Sequence, residues 1–311
     1  MNNRIIGEYI GKNHGPLLIV FGAMHGNEPA GVKALEMVFK MLEVEPITNP
    51  TFKFSGKLIG LIGNLEAYQR QLRFIDKDLN RCWRSELITY EGNDEIAEQR
   101  EIREIIDLIQ SEIKNYNPTE LIILDLHTTS SFGGIFSIVN ETPKSTKIAQ
   151  AFHAPVISGF MNILAGTTLH FFNSQQFNIP TTAVTFESGQ HQEQLSINRA
   201  IAAIVNCLKV CKLVDEEHIE NQHDKILIDY SADLPTNVEL IYSYSIDENE
   251  DFIMRPGFEN FKSVTKGEIL ADNENGPIAC QHESLILMPL YQKQGDDGYF
   301  LVKKIDQDIA Y

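Results

Sequence analysis

Three short apolar runs, each followed by a histidine or a glutamate, constrain this chain more than any other feature. Residues 17–21 (LLIVF), 121–126 (LIILDL) and 179–186 (IPTTAVTF) have the length and hydrophobicity of strands buried on both faces, as in a parallel sheet covered by helices. After the first come Gly22 and Ala23, which let the backbone turn, and then His25 and Glu28. The second runs into His127 and the small polar residues Thr128, Thr129, Ser130 and Ser131, and the third into Glu187, Ser188 and Gly189. In an open α/β sheet, ligands gather in the crevice beyond the carboxyl ends of the strands. If the three strands run parallel, two histidines and two glutamates meet on one sheet edge.

His25 and Glu28 are close enough in sequence to reach one ion, and an imidazole nitrogen with a carboxylate oxygen is a donor set that suits zinc. An ion held by His25, Glu28 and His127 would keep a position open for water, the mark of a catalytic rather than a structural site. Glu187 is then the spare carboxylate, available as general base toward that water. The expectation is an enzyme with one zinc ion per chain. His153 and His170 lack matched partners and read as ordinary polar or buried residues.

At 311 residues the chain exceeds the usual size of one domain. A net charge of −17 and a sequence pI near 4.9 argue against nucleic acid and against an anionic membrane surface as partners. No long apolar span occurs, and the opening MNNRIIGEYIGKNHG lacks the apolar core of a signal peptide, so a soluble, cytoplasmic protein is expected. Four cysteines in a chain this long do not suggest a disulfide scaffold. Cys207 and Cys211 lie one helical turn apart and read as small core residues. Cys82, beside Arg81, is either a thiol activated by its neighbour or, more plainly, an inert one.

In chain order, 5–11 (IIGEYIG) reads as an opening edge strand. Pro29 starts a helix over 30–44, broken by the prolines and polar residues of 45–50. A strand follows at 57–63. The stretch 64–84 sets Arg70, Arg73, Arg81 and Arg84 among acidic residues; guanidinium groups grip carboxylates well, but the pattern is too irregular for a continuous helix. Residues 91–117 form a helix with an isoleucine stripe, capped by Asn93 or Asp94. A strand at 133–139 and helices at 142–151 and 195–213 complete this part, while 160–180 mixes aromatics with Gly166, His170 and Asn173 and has no clear period. From residue 214 short strand-like runs (KILIDY, VELIYSYS, KSVTKGEIL, LILMPLY) alternate with turn residues. The fold class expected is α/β: a mixed, largely parallel sheet covered by helices in a catalytic domain, 1–213, followed by a smaller all-β domain, 214–311.

HGNE at 25–28, RFIDKDLNR at 73–81, DLHTTSS at 125–131 and TFESGQH at 185–191 together resemble the aspartoacylase and succinylglutamate desuccinylase family, whose fold is zinc carboxypeptidase-like. The stretch 255–272 (RPGFENFKSVTKGEILAD) is similar to the family's C-terminal β domain, so the resemblance spans essentially the whole chain. It implies that His25, Glu28 and His127 are zinc ligands and that Glu187 is the general base and later the proton donor. It implies further that Arg73 polarises the scissile carbonyl, that Asn80 and Arg81 hold the substrate's carboxylate, and that Tyr291, in PLYQKQ, reaches the substrate. Aspartoacylase carries an arginine shortly before its catalytic glutamate, used for the side-chain carboxylate of N-acetylaspartate. Residues 130–186 contain no arginine here, so N-acetylaspartate is not assigned as substrate.

The activity implied is zinc-dependent hydrolysis of the amide bond of an N-acyl amino acid, a small-molecule partner, with a homo-oligomer left open. Its rivals are a metallocarboxypeptidase acting on short peptides and a non-catalytic metal-dependent binding protein.

Overall fold

Strand alternation sorts the first apolar run between two cores. Leu18 and Val20 join one hydrophobic cluster while Leu17, Ile19 and Phe21 join another, all fully buried, because successive side chains of a strand point to opposite faces. The protein is described here by a computed structural model covering residues 4–90, 92, 94–215 and 224–305. Its strands are β1 (Ile5–Ile10), β2 (Asn13–Gly22), β3 (Ser55–Ile62), β4 (Leu121–Thr129), β5 (Phe136–Val139), β6 (Val156–Ser158), β7 (Thr181–Gln190), β8 (Asn237–Ser245), β9 (Ile253–Met254), β10 (Ser263–Val264), β11 (Ile269–Asn273), β12 (Gly276–Ala279), β13 (Ser284–Leu287) and β14 (Asp297–Lys304).

Eleven of them make one sheet in the order β1-β3-β2-β4-β7-β5-β6-β8-β14-β13-β10. The central β3, β2, β4 and β7 are parallel, as the three apolar runs require, and β1 closes one edge antiparallel to β3. One face is covered by the helices Ala30–Thr48 and Gln194–Val210, which bring Leu35, Val38, Ile201 and Ile204 onto Leu18 and Val20. The other takes the helix Ala97–Tyr116, whose Ile102, Ile105, Ile106 and Ile109 pack on Leu17, Ile19 and Phe21. Each such buried side chain stabilises the fold by about 1.5–3 kcal/mol. Cys207 and Cys211 sit in the first of these cores, in agreement with their helical spacing.

Toward the C-terminus, β8 pairs parallel with β6 and antiparallel with β14, so the same sheet runs on into β13 and β10. A separate antiparallel sheet, β12-β11-β9, closes a small core around Phe258, Leu270 and Tyr299.

Three local expectations are corrected. KILIDY is not a strand: it lies in the helix Asp224–Ser231, where Leu227 is fully buried against the core that includes the 194–210 helix. The first helix does not stop at residue 44 but runs to Thr48 with Pro46 inside it, since a solvent-facing last turn loses only one hydrogen bond to proline. The isoleucine helix begins at Ala97 rather than 91, with Gln99 Oε1 accepting from Ile96 N at 2.9 Å; Asn93 lies outside the described residues.

Gly22, at the end of β2, sets how closely the first helix approaches the sheet. A Cβ there would stand 2.5 Å from Val32 N and 2.7 Å from the carbonyl carbon of Gly31. Backbone atoms cannot swing aside as a side chain does, so the Gly22→Ala variant is expected to lose about 1–3 kcal/mol of stability. A urea midpoint equal to that of the parent would show that the helix can retreat freely.

Candidate metal centre and catalytic cavity

The parallel register carries the strand-end residues to one place. Glu187 on β7 pairs directly with His127 on β4, and the turn after β2 brings in His25 and Glu28. Suitable ligand atoms of His25, Glu28 and His127 all lie within 4.8 Å of one another, and all three side chains are buried. His25 Nδ1 is 2.8 Å from Glu28 Oε1, and His127 Nδ1 is 3.2 Å from Glu28 Oε2, which also accepts the Thr128 N–H at 2.9 Å.

The far nitrogen of each ring is backed by another carboxylate. His25 Nε2 is 3.1 Å from Asp78 Oδ1, and His127 Nε2 is 3.1 Å from Asp125 Oδ2, which Thr168 Oγ1 also contacts at 2.7 Å. Histidines that bind metals commonly donate their other N–H to such a carboxylate, which fixes tautomer and ring orientation. Both Nδ1 atoms face the Glu28 oxygens, where protons on the rings or a metal ion can supply the positive charge between them. Burial alone would raise the Glu28 carboxyl, but the charges and hydrogen bonds of His25 and His127 outweigh it and hold it well below the usual range. Burial would likewise lower His127, yet Asp125 and Glu28 raise it well above an ordinary imidazole. The two nitrogens and the carboxylate oxygen of this buried group could hold a divalent metal.

Glu187 is buried, and its Oε2 has no hydrogen-bond partner among the described residues. Burial pushes its carboxyl up to about 7, against a smaller opposing pull from His127. A carboxyl group beside a His-Glu-His cluster, pushed up toward neutrality by burial, is a candidate general base.

The arginine-bearing stretch is organised by Glu98, from the first turn of the isoleucine helix. Its buried carboxylate accepts N–H bonds from Ile75, Asp76 and Lys77 at 2.8, 3.2 and 3.1 Å. Arg73 consequently reaches the cluster, with Nη2 3.0 Å from Asp78 Oδ2 and Nη1 3.4 Å from Glu28 Oε1. Asn80 Oδ1 accepts the Thr168 N–H at 2.9 Å. Arg81 Nη2 is 2.5 Å from Asp297 Oδ2. Arg73, Asn80, Arg81 and Glu187 line one cavity together with the three cluster residues.

Tyr291 is not among the residues lining this cavity. Its hydroxyl donates to Arg255 O at 2.8 Å and accepts from Phe258 N at 3.0 Å, so the ring is held on the C-terminal strands outside the cavity. The next residue, Gln292, lines the cavity instead: its Oε1 accepts from Asn27 at 2.8 Å and lies 3.2 Å from His191 Nε2. His191, in turn 2.7 Å from Thr128 Oγ1, was passed over although it closes the TFESGQH motif. Asp78 and Asp125, the backing carboxylates, were legible only as members of motifs. The thiol of Cys82 is buried and pushed up to about 12, chiefly by that burial, so it is inert.

With this geometry in view, the family model described as succinylglutamate desuccinylase/aspartoacylase catalytic domain matches residues 14–210. A curated N-acyl-aromatic-L-amino acid amidohydrolase (carboxylate-forming) of Xenopus tropicalis is 24% identical over 276 residues, covering 83% of this chain and 84% of its own. A probable aspartoacylase of Nostoc is 30% identical over 132 residues, 42% of this chain and 41% of that one. Among solved structures, a succinylglutamate desuccinylase/aspartoacylase from Rhodobacter sphaeroides superposes with a TM-score of 0.64 at 17% identity, covering 94% of this chain and 86% of its own.

If Asp125 fixes the His127 ring for a metal, Asp125→Ala should weaken metal affinity by about 10–100-fold. Competition with a chromogenic chelator measures this; an unchanged affinity would separate Asp125 from the metal.

Proposed function

The chain belongs to the succinylglutamate desuccinylase/aspartoacylase family, and from that premise we propose that it is a zinc-dependent amidohydrolase that cleaves an N-acyl amino acid into a carboxylate and a free amino acid. The observation that carries the reading is Glu187: a buried carboxyl group beside a His-Glu-His cluster, with an oxygen left unpartnered. Metal binding alone has no need of such a fourth group. Zinc is the ion proposed, one per chain at His25, Glu28 and His127, because two imidazoles and a carboxylate are its familiar donors. Held there, it supplies Lewis acidity, which brings the pKa of a bound water from about 16 to about 7.

Glu187 accepts the proton of the attacking water and returns it to the amine nitrogen as the amide C–N bond breaks. Arg73, at the cluster's edge, offers its guanidinium to the carbonyl oxygen as that oxygen gains negative charge. Asn80 and Arg81 hold the substrate's carboxylate and so fix the amide in position. We further propose the boundary at 213/214 as a division of labour: the first part carries the reacting groups, and the second contributes Gln292 and Asp297 to the cavity wall. A cytoplasmic location is proposed because all four cysteines are free and buried, which fits a reducing compartment; no described helix is long and apolar enough to cross a membrane.

Glu187→Gln should keep its metal and lose about a hundred- to ten-thousand-fold in kcat; full turnover in that variant would remove Glu187 from the chemistry. The base works ionised, so kcat/KM in the parent rises with pH through its acid limb. A divalent cation beside the group favours the carboxylate, placing that limb below 7 in the metal-loaded enzyme. Arg81→Ala should chiefly raise KM for carboxylate-bearing substrates. If KM stays level while kcat falls, the arginine acts elsewhere.

A further inference from the structure

The cavity has two unlike walls. Besides the His-Glu-His group and Glu187, the lining includes Phe160, Met161, Leu164 and Leu169 from the segment after β6, with Ile138 of β5 and Phe300 of β14. This second wall is apolar and well supported. The Phe160 and Phe300 rings lie 5.3 Å apart, and behind them Phe171, Phe172, Phe177 and Trp83 form a continuous aromatic cluster with neighbouring centroids 5.2–5.8 Å apart.

From this we infer that the amino acid released by the enzyme has a large apolar side chain, and that substrates with a second carboxylate are rejected. The inference rests on the deacylase reading and adds the substrate class to it.

The argument for the side chain, as opposed to the acyl group, comes from the carboxylate anchor. The apolar segment is tied to that anchor: Thr168 N donates to Asn80 Oδ1 at 2.9 Å, and Trp83 N, two residues beyond Arg81, donates to Gly166 O at 3.0 Å. In an α-amino acid the carboxylate and the side chain leave the same carbon. A carboxylate held by Asn80 and Arg81 therefore keeps the side chain near the segment tied to Asn80, which carries Leu164 and Leu169 into the lining, while the acyl carbon lies further off, beyond the amide nitrogen.

Charge points the same way. Apart from histidines, the cations among the lining residues are Arg73, already paired with Asp78 and Glu28, and Arg81, already paired with Asp297. With Arg81 taken by the α-carboxylate and Arg73 by the carbonyl oxygen, no further lysine or arginine lines the cavity for a second substrate carboxylate, which would meet Asp296 and Asp297 there. Burying an unpaired charge against an apolar wall is costly, whereas a leucine- or phenylalanine-sized side chain gains from the same burial.

The test keeps the acyl group fixed as acetyl and compares zinc-loaded protein on N-acetyl-L-methionine, N-acetyl-L-leucine and N-acetyl-L-phenylalanine with N-acetyl-L-aspartate and N-acetyl-L-glutamate, reading amine release. Expected is a kcat/KM roughly a hundredfold higher for the apolar set. In calorimetry with the Glu187→Gln protein, N-acetyl-L-phenylalanine should bind and N-acetyl-L-aspartate should not. Leu164 is partly exposed at the cavity, so Leu164→Arg can be accommodated, and it should shrink the preference by about tenfold or more. Equal or better turnover of the dicarboxylates by the parent, or an unchanged preference in a folded Leu164→Arg protein, overturns the inference and leaves the deacylase reading standing. No turnover of any member of the panel would bring down that reading, and the inference with it.

Discussion

One buried carboxylate holds the active end of this molecule together. Glu28 faces two imidazoles that reach it from different strand ends, while the backbone of Thr128 donates to it from the end of β4. Each imidazole is backed by a further buried carboxylate, Asp78 or Asp125. Ionised groups taken out of water cost several kcal/mol each unless matched, so such a collection persists only where positive charge sits among its oxygens and nitrogens. The strands put these groups within reach; their charge decides what they can hold.

The surrounding structure works to keep that geometry. Gly22 lets the first helix touch the end of β2, which aims the loop bearing His25 and Glu28. Glu98 collects three consecutive backbone N–H groups and turns an otherwise irregular loop into a fixed mount for Arg73 and Asp78. Arg199, fully buried behind the end of β7, pairs with Glu193 at 2.7 Å and lies over the ring of Tyr230, bracing the strand that carries Glu187.

What could be read from the sequence divides along physical lines. The central strands were legible because burial on both faces leaves long apolar runs, and the convergence of His25, Glu28, His127 and Glu187 followed from parallel strands ending at one edge. Helix boundaries were less so: Pro46 and the start at Ala97 depend on solvent exposure and on side chains reaching back, which a periodic pattern does not encode. KILIDY fits a strand by composition but became a helix through tertiary packing of Leu227. Gln292 was missed because neighbours in an irregular loop can point in opposite directions, and no repeat says which. The apolar wall from 160 to 169 was hidden because its short helical turns are held by aromatic contacts distant in sequence.

The ladder between β6 and β8 carries a mechanical consequence. Val156, Ile157 and Ser158 pair with Asn237, Val238 and Glu239, so the C-terminal strands are stitched edgewise to the same sheet that ends at the His-Glu-His cluster. A swing of the whole C-terminal half about a hinge would have to shear that row of hydrogen bonds. Rearrangement for an entering substrate costs less in the connections at the rim, such as residues 288–296 between β13 and β14, than along that ladder.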